Sequence, residues 1–328
     1  MPAGWAGVVA DGPLLGAPAV HAGEWGRMAR AGVGFVRTAF AWPALEPQPG
    51  AYDLRATDRV VLAAARRGMW VLPVVSGTPA WAAAPPPGRY AELLRVLNAR
   101  YGPAGTLWAE HRAAPREPVR RWQVWNEPSL RGYWPQRPWA PGYVALLRAA
   151  HAVLPGRIVL AGLPNRSWVA LRAIYRAGGR GTFDAVALHP YTGRVANVLR
   201  LVRLARREMR RGGDAPLPVW LTEVSWPASL RVTRVRPGGF EVTERGQARR
   251  LGETLRVLAR ARHRLRIAHV AWYAWLTVEG RALPVWAGYA GLRRQVGGRV
   301  RSARSLRVFA RTLRALGAPN PRLRAPGR

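Results

Sequence analysis

The 328-residue sequence contains no cysteine. That excludes disulfides and thiolate metal sites, but it leaves the compartment open, because exported proteins also do without cysteine. Lysine is absent too, so every basic residue other than histidine is arginine. Acidic residues are scarce: 17 stand against 52 basic ones, for a formal net charge of +35. No apolar run approaches the ~18 residues that a membrane-spanning helix needs, and VAWYAWL is only the length of a strand. The opening residues, MPAGWAGVVADG, lack the basic, apolar and small-residue regions of a secretory signal. As given, the chain therefore reads as cytoplasmic, or as extracellular or cell-surface if an export segment lies upstream.

Hydrophobic residues make up 49% of the chain, which fits a globular protein with a substantial core. Replacement of lysine by arginine, with abundant Ala, Gly and Pro, looks like composition drift in a GC-rich genome. Drift does not explain the deficit of acids. A positive field of this size attracts anionic polymers or surfaces in a salt-dependent way. The arginines are spread along the chain and form no recognisable nucleic-acid module, so no specific nucleic-acid partner is expected.

Short apolar runs alternate with helical patterns from end to end. Strand-like runs occupy 5–10, 34–42, 70–76, 119–126, 158–164, 183–190, 219–226 and 269–276. Helix-like segments include 56–67, 90–101, 143–154, 195–211, 244–264 and 302–316. Eight strands alternating with helices predict parallel βαβ units, and their number and length fit a single-domain (β/α)8 TIM barrel over 1–316. A doubly wound open sheet would carry a Gly-rich phosphate loop after its first strand, and VVADGP (8–13) is no such loop. The long Trp-, Pro- and Gly-rich connections follow strands three, four, seven and eight, on the rim where barrel active sites are built. One long helix-to-strand segment, 102–118, belongs on the far face. The tail 317–328 has Pro, Gly and Arg without apolar periodicity and reads as a disordered basic end.

The fourth strand ends in VWNEP (124–128), and the seventh reads VWLTEVSW (219–226). Glu127 and Glu223 thus stand near the C-terminal ends of strands three units apart, facing one another across the rim. Two carboxylates across a cleft are the minimal apparatus for cleaving a glycosidic bond. By themselves, either could instead be the ion-pair partner of one of the many arginines.

These motifs resemble glycoside hydrolase clan A. FVRTAFAWPALEPQPGAYDL (35–54), VLPVVSGTPAWA (71–82) and WYAWLT…GYAGLRR (272–294) extend the likeness, most closely toward family 39, with families 5 and 42 as near relatives. Ser76-Gly77-Thr78 stands where family 5 members often carry a histidine, which favours the family 39 pattern. The resemblance implies hydrolysis of a β-linked oligo- or polysaccharide with retention of configuration. Glu223 would be the nucleophile and Glu127 the acid/base. It also implies substrate-binding roles for Asn126 at the sugar 2-hydroxyl, for Arg37 beside the nucleophile and for His189 and Tyr191 in HPY. Trp275 would be the floor of the sugar subsite, with Trp272 as its competitor on the alternating strand. Trp42, Trp81, Trp134, Trp139 and Trp226 are candidates for further subsites. No Asp, Glu and His cluster has metal-ligand spacing, so no metal or other cofactor is expected. The alternatives are a transglycosidase, which uses the same residues, and a catalytically silent barrel that binds an anionic glycan or surface. The second would draw on rim arginines such as Arg131, Arg137, Arg231, Arg234 and Arg236, which could also recruit an acidic carbohydrate to an active enzyme.

Overall fold

A computed structural model describes residues 1–15, 18–233, 238–280 and 285–318. The barrel strands are β1 (Ala6–Val9), β2 (Phe35–Ala41), β3 (Trp70–Ser76), β4 (Trp122–Val124), β5 in two pieces (Ile158–Val159 and Leu163–Pro164), β6 (Val186–His189), β7 (Val219–Val224) and β8 (Ile267–Trp272). All neighbouring segments pair in parallel, and β8 lies beside β1. The pairing order begins with one piece of β5 and ends with the other. Bridges Asn126↔Gly162 and Val159↔Ala185 join that interrupted strand to both neighbours. The sheet is therefore the wall of an eight-stranded barrel, as the alternation of the sequence predicts.

Helices sheath the wall because each carries one apolar stripe. In α6 (Trp139–Val153), Tyr143, Val144, Leu147 and Ala150 are buried at helical spacing. The longest helix, α9 (Glu244–Leu265), starts at Thr243, whose hydroxyl accepts from the Gly246 amide at 3.2 Å, and stops at Arg266 in the left-handed conformation (φ 53°). Two helices absent from the sequence reading, α1 (Pro18–Arg30) and α7 (Ser167–Arg176), complete units one and five. The segment 102–118 contains α5 (Thr106–Glu110), whose Trp108 donates to the Gly102 carbonyl at 3.1 Å. After β8 the chain adds a small sheet of β9 (Leu276–Val278), β10 (Arg293–Val296) and β11 (Arg299–Ser302) before α10 (Arg304–Ala315). Of the tail assigned as disordered, 319–328 lies outside the described residues. No helix among the described residues is long and apolar enough to cross a membrane.

Inside the barrel, Val9, Phe35, Leu72, Val159, Ala187, Trp220 and Ala271 form a separate apolar cluster. Phe35 stacks on Trp70 at 4.5 Å, while the ring of His269 lies 4.2 Å from that of Trp220. This plug closes the N-terminal end. Burial pushes the His269 imidazole down to about 4, and its Nδ1 lies 2.8 Å from the Gly4 carbonyl. Residues one pleat higher are polar, and there the site begins.

Candidate active site

Alternation along β2 turns Phe35, Arg37 and Ala39 inward in succession. Arg37 is only 2% exposed, so its charge needs partners on every side. It donates through Nε to Gln123 Oε1 at 2.7 Å, through Nη2 to Asn126 Oδ1 at 2.8 Å and through Nη1 to Glu223 Oε1 at 2.6 Å. One guanidinium thus ties β2 to both candidate carboxylate motifs. Because Asn126 Oδ1 accepts from Arg37, its NH2 group is left to donate toward the cavity.

Glu127 gets there through an irregular backbone. β4 stops at Val124 because Trp125 takes φ 71°, and Glu127 follows at φ 43°. Both lie in the left-handed region, which costs a non-glycine residue roughly 1–2 kcal/mol. The turn is fixed by Trp125, whose amide donates to the Val75 carbonyl at 2.9 Å and whose indole donates to the Tyr133 carbonyl at 3.0 Å. Buried Glu127 then sits with Oε1 2.7 Å from His189 Nδ1. The other ring nitrogen of His189 lies 3.0 Å from Thr222 Oγ1. Close packing behind that ring demands glycine at 162, since a Cβ there would lie 1.9 Å from His189 Nε2.

A second irregularity presents Glu223. Leu221 pairs with Val270 and Val224 with Trp272, so Thr222 and Glu223 together oppose Ala271. This bulge lets adjacent residues both serve the interior, where a regular strand would turn one of them out. Thr222 meets Gln123 and His189, and Glu223 faces the cavity. Glu223 Oε2 accepts from the Tyr191 hydroxyl at 2.6 Å and lies 3.6 Å from His189 Nδ1. Burial alone would raise the Glu223 pKa, but His189, Arg37 and the Tyr191 hydrogen bond together hold it below the ordinary glutamate value. Burial and the adjacent Glu223 push the Tyr191 phenol well up, so it remains a donor. Removing that donor in Tyr191→Phe should move the acid limb of kcat/KM upward by up to about one pH unit. A pH profile of a β-glycoside substrate measures this, and a downward or absent shift would contradict it.

These groups line a cavity of about 510 Å³, within the usual range for small-molecule sites. Its wall contains Arg37, Asn126, Glu127, Tyr191 and Glu223, five of the residues singled out in the sequence, while His189 lies behind both carboxylates. Trp275 is elsewhere, and its assignment as subsite floor is corrected. It is fully buried beneath the rim, and its indole donates to Glu24 Oε2 at 2.9 Å. There it packs in the network that Arg293 forms with Glu24. Trp272 is likewise buried, donating to the Ala290 carbonyl at 3.2 Å. Of the two residues between them, Tyr273 lines the cavity. Trp286, from a 3-10 turn, supplies the indole face instead, with its ring 5.3 Å from Tyr191, 5.1 Å from Phe240 and 5.9 Å from Tyr273.

None of Trp42, Trp81, Trp134, Trp139 and Trp226 lines this cavity. Trp42 and Trp81 are anchored on Glu46, Trp134 packs on Trp125, and Trp226 donates to the Thr192 carbonyl. Trp139 borders a smaller adjoining recess of about 260 Å³, which shares Leu130, Pro164 and Asn165 with the main cavity. Sequence reasoning also missed Asp11, whose carboxylate accepts from the Ala39 amide at 2.6 Å and faces the cavity. Burial raises its pKa, against the opposing pull of Arg37. Its signal was its place, a polar residue just past the C-terminal end of β1. Of the rim arginines, Arg137 donates to the carbonyls of its own loop, Arg131 and Arg231 are exposed, and Arg234 and Arg236 lie outside the described residues.

One atom each of Glu127, His189 and Glu223 lies within 4.8 Å of the others. The expectation that no such cluster exists is corrected to this extent: residues far apart in sequence do gather at metal-ligand separation. Their donor atoms are engaged with one another, with Arg37 and with Tyr191. A cation bound to Glu223 would therefore meet the Arg37 guanidinium. The cluster closes on itself as a hydrogen-bonded unit.

The barrel has the fold of the clan A glycoside hydrolases. The family model of glycoside hydrolase family 42, beta-galactosidase, matches residues 18–102. A family 39 glycoside hydrolase from Bacteroides cellulosilyticus WH2 superposes with a TM-score of 0.64 at 20% identity, covering 94% of this chain and 63% of its own. A glucosidase from Croceicoccus marinus gives 0.66 at 12% identity, over 89% of this chain and 63% of its own. A family 5 subfamily 18 protein from Streptomyces cattleya, in complex with GlcNAc, gives 0.69 at 18% identity, over 97% and 82%. The chain thus spans under two thirds of the length of the first two. A search of curated proteins for sequence relatives found no match. The resemblance to clan A read from the sequence is borne out by these matches, with families 39, 5 and 42 all represented.

Proposed function

We propose that the protein is a retaining glycoside hydrolase acting on a β-linked glycan. The observation that carries this reading is the proximity of Glu127 and Glu223, with ligand oxygens within 4.8 Å, in unequal surroundings. Retaining pairs stand about 5–5.5 Å apart, whereas inverting pairs leave room for a water between them. Glu223 is ionised and aimed by Arg37 and Tyr191, as a nucleophile must be. In the first step a Glu223 oxygen bonds to the anomeric carbon as the glycosidic C–O bond breaks. Glu127 gives its proton to the departing oxygen. In the second, Glu127 takes a proton from water, whose oxygen bonds to the same carbon and releases Glu223. The Asn126 amide faces the sugar 2-hydroxyl, where a hydrogen bond strengthens in the transition state.

Electrostatics suggest that the sugar at the reacting centre is neutral. The cavity holds Asp11, Glu127 and Glu223, three of only 17 acidic residues, and the one cation among its described lining residues, Arg37, is already paired. A uronate placed there would meet like charge, with no free counter-ion among the described lining residues. The Streptomyces cattleya relative likewise was solved with neutral GlcNAc. The alternative of a silent barrel sits poorly with two buried carboxylates held at reacting distance by Arg37, Tyr191 and His189.

Proton NMR of the first products from a β-linked oligosaccharide tests the mechanism. The β-anomer should appear before mutarotation; initial release of the α-anomer would rule out retention.

A further inference from the structure

On the side of the barrel, in a recess that shares no lining residue with the catalytic cavity, α10 presents Arg304, Arg307, Arg311 and Arg314 along one exposed face. The spacing of three, four and three residues stacks them in a row about 15 Å long. Arg27 and Arg30 from α1 and Arg245 from α9 line the same groove, which encloses about 750 Å³. Its remaining wall is apolar, including Ala31, Ala248, Leu306 and Val308, and no described lining residue is acidic; the nearby Glu244 carboxylate accepts from the Arg304 backbone amide at 2.9 Å. Arg27 has a carboxylate partner, Glu24 at 3.5 Å; among the described residues the other six form no ion pair. Seven guanidinium groups converging on one concavity repel each other, and a bound anion removes that cost.

We propose that this groove is a binding site for a linear acidic polysaccharide. A row of forked donors about one helical turn apart suits a chain that repeats its carboxylates or sulfates at similar intervals. The groove wall holds no aromatic residue, so the stacking that single-stranded nucleic acid relies on is missing. The apolar face of α10, with Phe309 and Leu313, is buried against the barrel and is not available to enter a lipid surface. The choice of a glycan rests on the carbohydrate reading of the cavity. Together the two sites describe an enzyme that holds an acidic polymer on its flank and cleaves at a neutral residue.

α8 (Val195–Arg211) provides the control. Arg200, Arg203, Arg207 and Arg210 repeat the spacing of the α10 row and are exposed, but they line none of the recesses described above. Binding is measured by calorimetry on the intact chain carrying Glu223→Gln, which keeps hydrolysis out of the readout. The probe is polygalacturonate, with neutral dextran as blank. Arg304→Gln/Arg307→Gln/Arg311→Gln/Arg314→Gln should weaken binding by about tenfold at low salt and reduce the salt slope by about three. Arg200→Gln/Arg203→Gln/Arg207→Gln/Arg210→Gln should change affinity by less than about twofold. Equal losses in both sets, or none in either, would overturn the proposal, because net charge alone would then account for any binding. If the fourfold variant melts early, Arg307→Gln/Arg311→Gln serves, with about threefold weakening expected and no loss as the contrary result. Tighter binding of a single-stranded oligonucleotide or of anionic phosphatidylserine vesicles than of polygalacturonate would overturn the choice of partner. With Glu223 left intact, the α10 set should leave kcat/KM for a small neutral glycoside unchanged. Absence of any hydrolysis alongside groove-dependent binding would count against the glycosidase reading and leave this site standing.

Discussion

Glu223→Gln should lower kcat/KM for a β-glycoside by at least about 10⁴-fold, with substrate still bound. Glutamine keeps the shape of the side chain, but only one of its two ends accepts, so the acceptor for either Arg37 or Tyr191 becomes an NH2 donor, and the amide is a poor nucleophile and a poor leaving group. The lost interaction is a covalent one made only along the reaction path, so the effect belongs in kcat rather than in binding. Stability should fall modestly, by about 1–3 kcal/mol, since Arg37 loses a charged partner but retains Asn126 and Gln123. The pH dependence of stability carries a second signature. The Glu223 pKa is lowered on folding, so its contribution is complete above the ordinary glutamate value and fades as pH falls through the depressed one. The variant should therefore lose less stability than the parent between neutral and acid pH. Chromogenic assay and thermal melts across pH measure both, and activity within tenfold of the parent would end the assignment of Glu223 as nucleophile.

Glu127→Gly should behave differently. Glycine accepts φ 43° without strain, so the turn after β4 survives and the change removes chemistry more than structure. Loss of a general acid costs about 10²–10⁴-fold on substrates whose leaving group is a sugar alcohol. A 2,4-dinitrophenyl glycoside needs no proton, so its first step should proceed and the glycosyl ester should accumulate. Added azide can then attack the anomeric carbon without a base, displacing Glu223 and giving a β-glycosyl azide. Mass spectrometry of the ester and NMR of the azide product are the readouts. An equal loss with both leaving groups and no azide product would show that Glu127 is not the acid/base.

The α-anomer test, the acid limb of Tyr191→Phe and these two substitutions examine different properties of one unit. His189, Thr222, Gln123 and Arg37 connect Glu127 to Glu223 through hydrogen bonds, with Asn126 bonded to Arg37 and Tyr191 to Glu223, so their effects should be strongly non-additive.

The sequence by itself determined the barrel, because period-two and period-3.6 apolar patterns alternate and each encodes one element that must bury one face. It also placed Glu127 and Glu223 at strand ends on the rim, and with them Arg37, Asn126, His189 and Tyr191. What it could not determine was direction. A regular strand turns successive side chains to opposite faces, yet Thr222 and Glu223 both serve the interior because β7 bulges against Ala271. Likewise Glu127 reaches the cavity through two left-handed residues that no alternation rule predicts. The same limit explains Trp275: beyond Trp272 the chain leaves the barrel wall, and the indole turns down to Glu24 while Tyr273 and a distant turn bearing Trp286 shape the cavity. The arginine groove is also tertiary, since Arg27, Arg245 and the α10 row meet only when three helices pack. Local pattern sets which residues can be buried or exposed; backbone irregularity and helix packing decide which of them meet.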